Sequence, residues 1–214
     1  MIIYGSSISP YVRKVMAYCA EKGIEAELKF AGMGRGGPEF EAASPFRKMP
    51  AMVDGDFYLP DSTAIIHYLE AKHPEPNLIP TEPRARGRTI WFEEYADTMF
   101  TACGGKMFFN RLIAPKFLKR DGDLAAADVA ERDELPPLLD YLETQIPASG
   151  FLVEDRLTLA DIAVASPFAN LHHIDVVLDG ARHPKTAAYI TAILARPSFA
   201  PMIESETRMI AAMA

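Results

Sequence analysis

Apolar positions along the chain follow two periods, and the change from one to the other divides it. Residues 1–4 form a short apolar run that predicts a strand, and residues 5–9 form a polar turn. Residues 10–22 carry Val12, Val15, Met16 and Cys19 at helical spacing, with Gly23 as the stop signal. Residues 25–30 alternate charged and apolar side chains, as a strand does. Four glycines within 31–38 mark a loop, and 38–43 predict a short helix. Residues 50–53 and 57–59 predict two strands joined by the hairpin signal Asp54-Gly55-Asp56. Residues 61–72 predict a helix with Ile65, Ile66 and Leu69 on its apolar face. The order β-α-β-α-β-β-α implies a compact three-layer α/β unit.

Prolines 74, 76, 80 and 83 then predict a linker over the surface. Beyond it the strand signals stop. Residues 84–119 predict a long helical stretch bearing Trp91, Phe92, Tyr95, Phe100, Phe108 and Phe109, with a break or bend expected at Gly104-Gly105 and at Pro115. Helices follow over 123–145, interrupted by Pro136-Pro137, and over 157–177, 184–195 and 198–208. The predicted fold class is α/β plus all-α, with an α/β domain at 1–75, a linker at 76–83 and an all-helical domain at 84–214.

A chain of 214 residues is long enough for two modest domains with a substantial core. The 49% hydrophobic and 24% charged content is that of an ordinary globular protein. A formal charge of −7 argues against a general nucleic-acid surface, which needs a basic footprint. Cys19 and Cys103 are far apart and form no C-x-x-C, so neither a disulfide framework nor a zinc site is expected. Met1-Ile2-Ile3-Tyr4-Gly5 has no basic and apolar leader character, and no apolar run approaches the roughly 18–20 residues of a membrane span. A soluble cytoplasmic protein with no membrane partner is the expectation.

Three local patterns suggest chemistry. Tyr4-Gly5-Ser6-Ser7-Ile8-Ser9-Pro10 joins the first strand to the first helix, with Pro10 at the first helical position and Ser9 as its cap. Free N–H groups and the dipole at that helix end favour an anion, and a thiol held there would be biased toward thiolate. A serine hydroxyl donating to sulfur would add a charge-assisted bond; the plainer alternative is a Ser-Pro helix cap. Lys48-Met49-Pro50 precedes the hairpin, where a cis Pro50 would turn the Met49 backbone outward to pair with an extended peptide, and Lys48 could meet a carboxylate. An ordinary trans bond at a strand start is the alternative. Pro60-Asp61-Ser62-Thr63 opens the next helix; Asp61 and Ser62 suit either a cap or an amino-acid head group, Asp61 for its ammonium and Ser62 for its carboxylate.

With these segments in this order, the chain resembles the cytosolic glutathione transferase family, in its bacterial, serine-type form, with no class assigned. The resemblance rests on Ser9-Pro10-Tyr11-Val12-Arg13-Lys14-Val15, Ser44-Pro45-Phe46-Arg47-Lys48-Met49-Pro50, Asp61-Ser62-Thr63-Ala64-Ile65-Ile66-His67-Tyr68-Leu69 and Leu157-Thr158-Leu159-Ala160-Asp161-Ile162-Ala163. It spans essentially the whole chain. It implies a thioredoxin-like N-terminal domain, an all-helical C-terminal domain and a homodimer. It further implies glutathione as co-substrate, with no metal, and a small hydrophobic electrophile as second substrate. Met49 should pair with the cysteinyl backbone, Pro50 should be cis, Lys48 should face the glycyl carboxylate, and Asp61 and Ser62 should take the γ-glutamyl end. Asp61 departs from the more usual glutamate and reaches about one methylene less.

The resemblance makes Ser9, directly before Pro10, the catalytic candidate, with Ser7 and then Ser6 behind it. Tyr4 is expected as a packed residue and Cys19 as core. Thr158-x-x-Asp161 reads as a structural capping box, His67 as a solvent-side residue, and His172-His173 as lacking partners at metal-ligand spacing. Met99, Ala102, Cys103, Met107, Phe108, Asn110 and Arg111 are candidates to line the second-substrate site, or else belong to core or interface. The implied activity is conjugation of glutathione thiolate to hydrophobic electrophiles in detoxification, with peroxidase activity as a companion. A non-catalytic glutathione or ligand carrier, or a glutathione-dependent isomerase or dehalogenase, stands as the alternative.

Overall fold

The computed structural model describes residues 1–32 and 34–213. Met33, in the predicted glycine-rich loop, and Ala214, at the end of the predicted helical domain, lie outside the described residues. Strand β1 (Ile2–Gly5) ends on a glycine where helix α1 (Pro10–Glu21) passes close; a Cβ on Gly5 would lie 2.5 Å from a methyl of Val12. Strand β2 (Glu27–Phe30) pairs parallel with β1, β3 (Ala51–Asp54) pairs antiparallel with β1, and β4 (Phe57–Pro60) pairs antiparallel with β3. The sheet order is β2-β1-β3-β4. Gly55 makes the β3–β4 turn at φ 66°, a left-handed conformation that glycine adopts without Cβ strain.

Alternate residues of the sheet feed two cores, as the strand period requires. Ile3 and Met52 pack with Val15 and Tyr18 of α1 and with Ile65 and Leu69 of α3 (Ser62–Lys72). Tyr4, Ala51 and Val53 pack with Phe40 and Ala43 of α2 (Gly37–Ala43). The register opposes Tyr4 to Ala51 and Ala51 to Pro60. The turn after β1, the loop before β3 and the turn after β4 therefore meet at one end of the sheet. Those are the three segments singled out by their chemistry.

Beyond α3 the secondary structure is helical among the described residues, apart from one isolated bridge between Val153 and Arg156. Helix α4 (Pro83–Glu94) runs through a π-helical stretch, Tyr95–Phe100, into α5 (Thr101–Phe108) and a second π-helical stretch, Phe109–Phe117. The expected break at Gly104-Gly105 does not occur. The intrinsic cost of about 1 kcal/mol per helical glycine is outweighed by the buried face that carries Cys103, Gly104, Met107 and Phe108. Pro115 falls within the second wide-turn stretch, whose end is closed by a five-residue bond from Leu118 N–H to the Ile113 carbonyl.

Helix α6 (Leu124–Val129) continues through a π-helical stretch, Ala130–Glu134, into α7 (Leu135–Gln145), so the helical run is not interrupted at Pro136-Pro137, which follow the wide turn. Then come α8 (Leu159–His172), α9 (Pro184–Leu194) and α10 (Ala200–Ala211). Helix α8 is buried from Leu159 to Leu171, as its lack of a polar face requires. It ends at His172, short of the predicted 177.

The linker also differs from expectation in its second half. Leu78, Ile79 and Pro80 are buried rather than laid over the surface. Glu70 accepts the Leu78 and Ile79 N–H groups, and the Leu78 carbonyl accepts from Leu159 N–H. The apolar pair Leu78-Ile79 thus seals the joint between the two halves.

Candidate active site

Ser9 occupies the cap position of α1 with extended backbone (φ −76°, ψ 127°), yet its side chain makes no capping bond. Pro10 at the first helical position has no N–H to leave unpaired there. The backbone holds the residue instead: Ser9 N–H donates to the Ser6 carbonyl at 2.9 Å, and its own carbonyl accepts from Arg13 N–H at 3.0 Å. The half-buried Ser9 lines an apolar cavity of about 370 Å³ with Tyr11, Met49, Thr101, Phe108 and Ile113.

A second, more polar cavity of about 740 Å³ lies beside it, lined by Lys48, Met49, Pro50, Asp61 and Ser62. Tyr11 and Met49 line both cavities. The Met49-Pro50 peptide is cis. Ser44, itself buried, donates to the Lys48 carbonyl and accepts from the Lys48 N–H at 2.7 and 3.0 Å, which fixes the loop and leaves the Lys48 side chain exposed at the rim.

Asp61 caps α3, its Oδ1 accepting from Thr63 and Ala64 N–H at 3.0 and 3.1 Å. The cap takes up those two N–H groups and not that of Ser62, a residue that lines the cavity. Asp61 stands at φ 78° and ψ 133°, a conformation that costs a non-glycine residue about 1–3 kcal/mol. It is held by the cap and by its N–H bond to the Pro50 carbonyl at 3.3 Å.

Behind the polar cavity lies a buried cluster that the sequence pattern did not announce. Lys14 Nζ contacts Glu93 at 2.9 Å and Asp97 at 2.5 Å, and Thr63 Oγ1 donates to the same Glu93 oxygen. Burial pushes the Asp97 carboxyl up, against the pull of Lys14. The Tyr11 hydroxyl donates to the Asp97 carbonyl at 2.9 Å, an acceptor that lies within the first π-helical stretch.

The family models for the N-terminal and C-terminal domains of glutathione S-transferase match residues 3–77 and 106–197. Glutathione S-transferase 3 of Zea mays is 30% identical over 213 residues, covering 92% of this chain and 90% of that protein. A glutathione S-transferase of Hyoscyamus muticus is 30% identical, covering 95% and 98%. A crystal structure of a glutathione S-transferase from Methylobacterium radiotolerans, in complex with glutathione sulfonate, superposes with a TM-score of 0.77 at 28% identity, covering 94% and 93%.

The chain belongs to the glutathione S-transferase family.

In this glutathione S-transferase, Ser9 lines the apolar cavity, Met49 lines both cavities, and Lys48, Pro50, Asp61 and Ser62 line the polar one. Ser7 and Ser6 line neither cavity. Tyr4 is packed: its hydroxyl donates to Glu39, and that bond, with burial, pushes the phenol up to about 12. Burial raises Cys19 to about 12 and Cys103 to about 11, which keeps both thiols protonated and inert. His67 is half-buried rather than fully on the solvent side. His173 is drawn into a contact with Glu206, and among the described residues no group of three or more His, Cys, Asp or Glu side chains is placed to hold a metal ion. No described helix is long and apolar enough to cross a membrane.

The expected lining of the apolar cavity needs the largest correction. Of the seven candidates only Phe108 faces it. Cys103 and Met107 are buried in the helical core, Asn110 accepts from Asp123 N–H, and Arg111 pairs with Asp128 and Glu131. The wide turn Tyr95–Phe100 advances the helix by more than 3.6 residues per turn, so phasing the stretch as plain α-helix selects the wrong face. The wall instead uses Thr101, Gly104, Gly105, Phe108, Phe109 and Ile113, with Pro167 and Asn170 of α8 opposite. Tyr11 and Asn170 were missed because their roles depend on packing between the two halves. Tyr11 alone had a local signal, its place next to Ser9-Pro10.

Proposed function

We propose that this protein activates the thiol of glutathione through Ser9 and transfers it to a small apolar electrophile. The observation that carries the reading is Ser9, its side chain left uncommitted by capping, in the wall of an apolar cavity that shares Tyr11 and Met49 with the adjoining polar one. In this reading the tripeptide lies in the polar cavity as a co-substrate. Met49 pairs with its cysteinyl backbone beside Pro50. Lys48 faces the glycyl carboxylate. The Ser62 N–H and hydroxyl take the γ-glutamyl carboxylate, and Asp61 takes the ammonium. That arrangement directs the thiol to the start of α1, where the dipole favours the anion and the Ser9 hydroxyl donates to sulfur. The thiol proton passes to solvent, sulfur bonds to the electrophilic carbon in the apolar cavity, and the leaving group departs with its electron pair. The protein contributes orientation and electrostatic stabilisation.

Turnover with a chromogenic aryl halide, measured alongside calorimetric glutathione binding, tests the reading. Ser9→Ala is expected to bind glutathione within about twofold of wild type and to lose turnover by roughly 10²-fold, the scale of removing one stabilising donor, together with its thiolate absorbance. Undiminished turnover in that variant would reject Ser9. Binding without turnover in the wild type, across several electrophiles, would replace the transferase reading with a carrier. In the homodimer that the family implies, Phe46, which is 85% exposed and lines the polar cavity, is the side chain we assign to the partner's surface. Sedimentation at twice the chain mass, shifting to a monomer in Phe46→Ser, is the expected result; a monomeric wild type contradicts it.

A further inference from the structure

Ser9 has no side-chain anchor of its own, and its two backbone bonds lie within the turn and helix that carry it, so its place against the cavity depends on what holds that turn. The residue before it supplies the clue. The Ile8 carbonyl accepts from Asn170 Nδ2 at 2.9 Å, across the interface between the β1–α1 turn and helix α8. Asn170 is 4% exposed and borders the apolar cavity. Its Oδ1 accepts from Arg13 Nη1 at 2.8 Å.

These two partners fix the direction of the amide. A guanidinium only donates and a carbonyl only accepts. Oδ1 must therefore face Arg13 and Nδ2 must face Ile8. Rotating the amide would set donor against donor and acceptor against acceptor, both buried.

All three guanidinium nitrogens of Arg13 are bonded in turn. The side chain is buried, and Nε and Nη2 grip the two oxygens of Glu206 at 3.2 and 2.6 Å, a fork-on-fork pair with the last helix, α10. Nη1 also donates to the Ser166 carbonyl at 2.7 Å, and the Ser166 hydroxyl donates to the Pro10 carbonyl at 2.6 Å. His173 Nε2 meets the same Glu206 oxygen at 2.8 Å. The carbonyls on both sides of Ser9, those of Ile8 and Pro10, are thus held by two residues of α8 that Arg13 ties together.

We propose that Asn170 is the positioning residue of Ser9, with the Arg13–Glu206 pair as the clamp that sets the direction of its amide. The inference rests on the reading of Ser9 as the thiol-activating residue. Asn170 fixes the Ile8–Ser9 peptide plane, and that plane sets where the Ser9 hydroxyl stands relative to sulfur. Asn170 does not line the polar cavity, so its effect falls on thiol activation and not on tripeptide binding.

Asn170→Asp is the informative variant. It keeps the shape and the acceptor toward Arg13 but turns an oxygen on the Ile8 carbonyl. Expected results are glutathione affinity within about twofold of wild type, a bound-thiol pKa moved toward that of free glutathione, and kcat lower by about 10- to 100-fold, the cost of a small misplacement. Introduced into Ser9→Ala, the same change should alter kcat by less than about twofold, because a residue acting through Ser9 has nothing left to act on. Asn170→Ala removes the donor without adding charge and reads the same quantities if the aspartate variant folds poorly.

Loss of turnover in Ser9→Ala with full turnover and an unmoved thiol pKa in Asn170→Asp overturns the positioning role alone. Losses that multiply in the double variant overturn it too, since they mark a general structural effect. Full turnover in Ser9→Ala removes the Ser9 reading itself, whatever Asn170→Asp does, and the positioning role with it.

Discussion

Asp61 caps α3, and the proposed binding of glutathione gives it a second duty that one substitution can separate. Its Oδ1 caps α3 through Thr63 and Ala64, and its charge faces the cavity that the γ-glutamyl end would enter. Asparagine caps as well as aspartate and tolerates unusual backbone as well. Asp61→Asn should therefore leave the unfolding free energy within about 0.5 kcal/mol of wild type. It should weaken glutathione binding by about 10-fold or more, the scale of one hydrogen bond to a charged group. Calorimetry and thermal unfolding on the same sample check both halves. Unchanged affinity would mean that Asp61 is a cap only. Ser9, Lys48 and Asp61 could be read from the sequence because each sits in a short pattern with a local reason: a Pro at a helix start, a Pro at a strand mouth, an Asp before a helix. Asn170 and Arg13 could not. A lone asparagine or arginine in a helical pattern reads as surface, and only the docking of α1 against α8 and α10 buries them.

At the scale of elements, the long helix from Pro83 to Phe117 shows where periodicity reasoning ran out. Its existence, its aromatic content and its place after the linker follow from the pattern of apolar residues. Its facing does not, because two π-helical stretches shift the phase and no composition signal marks them. Gly104-Gly105 looked like a break and is instead part of the cavity wall. A Cβ on Gly105 would have no atom within 4 Å apart from its own helix and chain neighbours, so the glycine keeps space open. Gly105→Leu should thus fold at least as stably as wild type, with the helix propensity gain of about 1 kcal/mol in its favour. It should cut kcat/KM for bulky electrophiles by about 10-fold or more while sparing small ones and the KM for glutathione. Equal losses for large and small electrophiles would mean that Gly105 does not shape the second-substrate site.

At the scale of the whole molecule, the two halves are joined by charged side chains as much as by the sealed apolar linker. Glu21 of α1 holds Arg196 and Ser198, Glu70 of α3 holds the linker backbone, and Glu206 of α10 holds Arg13. Burial pushes the Glu206 carboxyl up, but the His173 hydrogen bond and the Arg13 charge outweigh it, and the net shift is downward. A carboxylate lowered in the folded state stabilises above its unfolded pKa, near the ordinary 4.5, and that contribution is lost as pH falls through the lower folded value. Asp97 and Asp161, which burial raises, act in the opposite sense, so the wild-type acid limb alone does not isolate Glu206. A difference does. Glu206→Gln should be less stable than wild type by about 3–5 kcal/mol at pH 7, because it leaves the Arg13 charge buried without its partner. The gap should stay constant down to about pH 5, narrow below the unfolded value near 4.5, and close as pH falls through the lower folded value, where Glu206 in the folded protein takes up a proton. Denaturant unfolding of both proteins across that range measures it. A gap independent of pH would show that the glutamine harms packing and that the ion pair between the first and last helices does not hold the halves together.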